Sequence, residues 1–119
     1  MPGFCGICGN LPPQLDWPIP VGNELCSTIK RDVRFRNHYI QQYITPKFIN
    51  DKLFFDGPDV FICTDGTLLN AKDLCLKFNI QEYNELIETM YEKQGTKFVS
   101  EMRGDFSGII YDKSKDKIH

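Results

Sequence analysis

Three groups of residues have types and spacings that could do chemistry. Cys5-Gly6-Ile7-Cys8 sets two thiols at the spacing of a redox dithiol or of half a zinc site. A redox pair needs a thiolate held at a helix N-terminus, and tetrahedral zinc needs two further ligands, usually another close pair. Here the pair lies in a small, apolar stretch at residues 3–9 that reads as a strand and runs into prolines. Cys26, Cys63, Cys75 and His38 are scattered, so small strand residues are the favoured reading and no metal site is expected. A thiol redox or zinc-binding module remains an alternative. The second group is Lys30, Arg31, Arg34 and Arg36, interleaved with Phe35, His38 and Tyr39. It could form a single-strand nucleic-acid face, although a solvated strand face fits the near-neutral charge better. The third is Asp65-Gly66, which follows an apolar run and reads locally as a turn.

Composition narrows the classes. The chain has 119 residues, 41% hydrophobic, 13% aromatic and 25% charged, with a net charge of −2. This suits a single folded domain over 1–119 and excludes collagen-like or broadly disordered character. There is no global field to attract nucleic acid or anionic lipid, and no apolar run reaches the roughly 20 residues that cross a membrane. Neither nucleic acid nor membrane is expected as a partner. The start, Met-Pro-Gly-Phe-Cys, lacks the charged and apolar regions of a signal peptide. A cytoplasmic protein with reduced thiols is therefore expected.

The elements that must position these residues follow from periodicity. Pro12, Pro13, Pro18 and Pro20 disfavour regular structure after the first strand. Asn23 could cap a helix over 24–30, and residues 32–46 read as extended. Leu53-Phe54-Phe55 and Val60-Phe61-Ile62-Cys63 flank Asp56-Gly57-Pro58 as a hairpin. Helical spacing predicts helices over 70–77 and 81–94, the second stopped by Gly95, then a further helical turn or two at Phe98–Met102. A strand over 106–111 and a polar turn over 112–117 close the chain. No internal repeat or linker divides it.

Three stretches together resemble the N-terminal glutamine-amidotransferase domain of the asparagine synthetase family, a class II, Ntn-hydrolase-type domain. Phe4-Cys5-Gly6-Ile7 resembles the family's opening Cys-Gly-Ile. Asp65-Gly66-Thr67-Leu68-Leu69-Asn70, with Leu74, resembles its Asn-Gly-Glu-Ile-Tyr-Asn segment. Tyr91 to Gly95, continuing through Phe98 to Arg103-Gly104-Asp105-Phe106-Ser107-Gly108-Ile109-Ile110-Tyr111-Asp112, resembles its most specific run. Residues 10–52 match poorly.

The resemblance implies an α+β fold, part of a four-layer αββα sandwich. It makes Cys5 the candidate nucleophile, activated by its own α-amino group once processing exposes it. It places Asp65 and Gly66 in the oxyanion and glutamine pocket. The expected partner is an ATP-using, amide-forming synthetase, in a domain or chain continuing after His119. ATP and magnesium belong to that synthetase, and this chain itself needs no cofactor.

Four departures set the sequence apart from that scheme. Cys5 is preceded by four residues. Asp65 stands where the family has Asn, which puts an anion beside a developing anion. Tyr83 falls where the ammonium-binding Asp belongs, while Glu85 meets a matching acidic position. Arg34 and Arg36 lie a few residues too early for the carboxylate-binding arginine. A glutaminase-like domain without glutamine hydrolysis is therefore expected, with an active amidotransferase that matures at Cys5 as the alternative. The family's sandwich continues with further strands after Tyr111-Asp112. The strand at 106–111 is thus expected to have an unpaired edge, filled by another chain or by self-association.

Overall fold

A computed structural model describes residues 3–9, 29–35, 38–46 and 53–119. The described residues are mixed α/β, with two antiparallel sheets and two α-helices. Its contacts divide into two compact units, Met1–Lys52 and Leu53–His119.

In the first unit, β1 (Gly3–Cys8), β2 (Ile29–Phe35) and β3 (His38–Ile44) form a sheet in the order β1-β3-β2. The expected proline-rich stretch and the cap at Asn23 lie outside the described residues. Ile29 and Lys30, expected at the end of a helix, belong instead to β2. The reason is a period of two: Ile29, Arg31, Val33 and Phe35 are half-buried, while Lys30, Asp32 and Arg34 are exposed.

Pairing on both sides makes β3 the central strand, and Ile40, Gln41, Gln42 and Ile44 are all buried. Two buried amides are costly unless they are hydrogen-bonded. For Gln41 a ladder along one face of the sheet supplies the partners. The Tyr43 hydroxyl donates to Gln41 Oε1 at 3.3 Å, Gln41 Nε2 donates to the Tyr39 hydroxyl, and that hydroxyl donates to Asp32 Oδ2 at 3.0 Å.

The second unit begins with β4 (Phe54–Asp56) and β5 (Val60–Leu68), the expected hairpin. Helix α1 (Ala71–Phe78), helix α2 (Tyr83–Gln94) and a 3₁₀-helix (Gly95–Glu101) follow. Strands β6 (Gly104–Asp112) and β7 (Lys117–Ile118) complete a sheet in the order β4-β5-β6-β7. Leu86, Ile87, Met90 and Tyr91 recur on one side of α2 and are buried. They pack with Val60, Ile62 and Ile110 of the sheet, and with Leu74 and Phe98. The opposite face of the sheet also carries buried residues, Phe61, Cys63 and Tyr111. Helix α1 stops where Asn79 takes a left-handed conformation, φ 56°, which asparagine tolerates better than most residues.

The turn between β6 and β7 is organised by one buried carboxylate. Asp112 is 3% exposed and accepts from the Tyr91 hydroxyl at 2.9 Å, the Ser114 hydroxyl at 2.6 Å, Lys115 N–H at 3.0 Å and Lys115 Nζ at 2.8 Å. The Lys115 ammonium and then the Ser114 hydroxyl hold its carboxyl well below the usual carboxylate range, against the opposing effect of burial.

Asp112→Asn keeps the volume but removes the charge from this network. It should cost about 1–3 kcal/mol in a urea titration at pH 7. A carboxyl depressed in the folded state stabilises above its unfolded value near 3.9 and loses that contribution as pH falls through the folded value. Native stability should therefore decline below about pH 4 more steeply than that of the Asn variant, as measured by thermal unfolding across pH.

Candidate functional site

Asp65 and Gly66 lie in β5 beyond the end of β4, and that limit explains their local structure. Successive outward amides of β5 face the β4 side: Thr64 N–H still reaches Leu53 O at 3.0 Å. The next amide on that side, at Gly66, lies beyond the described part of β4. It donates instead to Asp65 Oδ1 at 2.9 Å. A short polar side chain that accepts from the neighbouring backbone is a normal use of aspartate at a strand end.

Gly66 itself is fixed by sterics. Its φ is +102°, and a Cβ there would sit 2.1 Å from the Asp105 carbonyl oxygen on β6. Only glycine combines that conformation with so close an approach. Gly104, across the ladder, is held in the same way against the Thr67 carbonyl.

Asp65 and Gly66 help to line a cavity of about 220 Å³ between the sheet and the helical layer. Tyr83, Ile87, Phe98, Val99 and Phe106 contribute to its apolar wall. Tyr83, at the first position of α2, therefore brings a phenol to this wall where the family resemblance looks for an ammonium-binding carboxylate. Glu85 is exposed.

The other candidate residues belong to the first unit. Cys5 lies in β1 and pairs in register with Gln41, which pairs on its other side with Asp32. The basic residues of β2 do not form a single charged face. Arg31 lies on the half-buried face, and on the exposed face Asp32 separates Lys30 from Arg34. An acid between two bases halves the field that a phosphate chain would meet.

Among the described residues, no group of three or more His, Cys, Asp or Glu side chains is placed to hold a metal ion. Cys75 is a free thiol. Burial pushes the Cys75 thiol up, away from the reactive thiolate. No helix among the described residues is long and apolar enough to cross a membrane.

Two functional groupings were not anticipated from the sequence. Asn70 precedes α1 and looks like a helix cap, but it makes no side-chain cap bond. It clasps the entry to β6 instead, donating from Nδ2 to the Glu101 carbonyl and accepting from Arg103 N–H, both at 2.9 Å. An Asn before a helix signals a cap, and nothing local shows that its partners lie more than thirty residues ahead. Phe98 and Val99 read as a helical turn and Phe106 as a strand residue, with nothing local to show that they share one wall.

Two substitutions separate the local roles. Asp65→Ala leaves the Gly66 amide to water and should cost about 1 kcal/mol. Gly66→Ala forces a side chain into the β6 backbone and should cost about 3 kcal/mol or more, read by chemical denaturation.

No protein-family model matches this chain, and no curated protein matches it.

Proposed function

We propose that this chain is a glutaminase-like domain that does not hydrolyse glutamine and that supports an ATP-dependent, amide-forming synthetase of the asparagine synthetase type. The observation that carries the reading is the bond from Gly66 N–H to Asp65 Oδ1. In the glutaminase scheme that N–H is free to stabilise an oxyanion. Here a carboxylate takes it, and a second anion about 4 Å away would be repelled by about 4 kcal/mol at an effective dielectric constant of 20.

Three further features support the reading. Tyr83 offers no charge for a substrate ammonium. Two antiparallel sheets, with helices on one face of the second and buried residues on both its faces, suit the inner layers of an αββα sandwich. The stretches around Cys5, Asp65-Gly66 and Arg103–Asp112 carry the resemblance. On this reading Cys5 is a strand residue and becomes a nucleophile only if its α-amino group is exposed. ATP and magnesium act at the synthetase, and the pair works in the cytoplasm.

The test uses the purified full chain. Intact mass should show that residues before Cys5 are retained, and ammonia release from glutamine should equal that of Cys5→Ala. Amide formation from free ammonia by an asparagine-synthetase-type synthetase domain should rise when the chain is added. A chain that begins at Cys5 and releases ammonia, with that release lost in Cys5→Ala, would overturn the proposal in favour of an active amidotransferase.

A further inference from the structure

Four carboxylates gather where α2 passes the turn between β4 and β5. Glu85, Glu88 and Glu92 follow one another at helical spacings of three and four residues, so they share one side of α2. Asp59 belongs to the turn, lines a cleft together with Glu92, and is near enough for its charge to act on Glu88. Glu85, Glu92 and Asp59 are exposed, whereas Glu88 is half-buried.

A glycine sets the position of Glu88. Gly57 is buried, and a Cβ there would lie 3.0 Å from Glu88 Oε1 and 2.7 Å from the Phe55 ring. The carboxylate therefore rests against the backbone of the turn on one side, as the Phe55 ring does on another. The turn itself is held by a few bonds. Gly57 N–H donates to the Val60 carbonyl, and Lys113 N–H donates to the Asp59 carbonyl, both at 2.9 Å.

A carboxylate withdrawn from water stays charged at low cost only beside a cation or several donors. Among the described residues, none of these four side chains makes a hydrogen bond or an ion pair. The ammonium groups at this end of the sheet are directed elsewhere. Lys113 Nζ donates to Asp56 Oδ1 and the Gly57 carbonyl, and Lys115 Nζ donates to Asp112. Burial, and then the charges of Glu92, Asp59 and Glu85, push the Glu88 carboxyl above the usual carboxylate range. A carboxyl raised in the folded state stabilises below its unfolded value near 4.3, and that contribution is lost as pH rises through the folded value.

The repulsion acts on two unequal partners. Helix α2 is anchored in the core by Leu86, Ile87, Met90 and Tyr91, while the turn has only its few backbone bonds and the Lys113 contacts. The turn is therefore the part that yields.

We infer that Glu88 is a pH-sensitive latch between α2 and the β4–β5 turn. It is closed in mild acid, when its carboxyl is protonated, and loosened at neutral pH, when all four groups are charged. This inference does not rest on the glutaminase-like reading.

Native-state hydrogen exchange on the full chain tests it, with each amide compared with its own intrinsic rate at the same pH. Protection of the Gly57 and Lys113 amides should rise roughly threefold or more between about pH 7 and about pH 5.5. Glu88→Gln is neutral throughout, so both amides should be well protected at neutral pH and show no response over the same range. Asp59→Asn removes the opposing charge from the turn and should raise protection at neutral pH as well. Unchanged protection across that range in the unsubstituted chain would overturn the inference. So would an equal pH response in Glu88→Gln, or an Asp59→Asn chain no better protected at neutral pH than the unsubstituted one.

Discussion

The antiparallel ladder between β5 and β6 is the constraint on which the second unit depends. It runs through nine residue pairs, from Val60 opposite Asp112 to Leu68 opposite Gly104. Because side chains alternate, that one register decides which residues meet the helices and which face away. It puts Ile62 and Ile110 together in the core and draws Asp112 under the Tyr91 hydroxyl. It also brings the β5 and β6 backbones so close at Gly66 and Gly104 that neither position has room for a side chain. A slip by one residue would turn Ile110 out of the core and bring Ser107 and Ile109 to the α2 face.

Strand length then accounts for the local chemistry. Strand β4 covers three residues, far fewer than the β5 strand it flanks. Among the described residues the last backbone bond on that side joins Thr64 N–H to the Leu53 carbonyl. The next amide on that side, at Gly66, is satisfied by the adjacent carboxylate.

Much of the second unit was legible in the sequence. The turn at Asp56-Gly57-Pro58, the helical spacing of Leu86, Ile87, Met90 and Tyr91, and the stop at Gly95 are local signals, and local signals survive without knowledge of the fold. The 24–30 helix failed at Ile29 and Lys30 because a thin apolar pair, Leu25 and Ile29, fits either period. The alternation that decides it continues into the following residues. Features that depend on distant partners were not legible. Asp65-Gly66 reads as a turn until the end of β4 is located beside it. Gln41 reads as a polar strand residue until β3 proves to be central, with tyrosines on either side to satisfy its amide.

The clasp made by Asn70 bears on the chemical lifetime of the protein. Asparagine ages by attack of the following backbone nitrogen on its side-chain carbonyl carbon, a reaction that needs a mobile side chain and a flexible backbone. Here the amide is held from both ends and the following residue, Ala71, opens a helix. The same geometry makes the loss, if it occurs, damaging. The product carboxylate would place an acceptor against the Glu101 carbonyl, where a donor stood, and loosen the entry to β6. Asn70 is thus shielded from deamidation by the same two bonds that such an event would break.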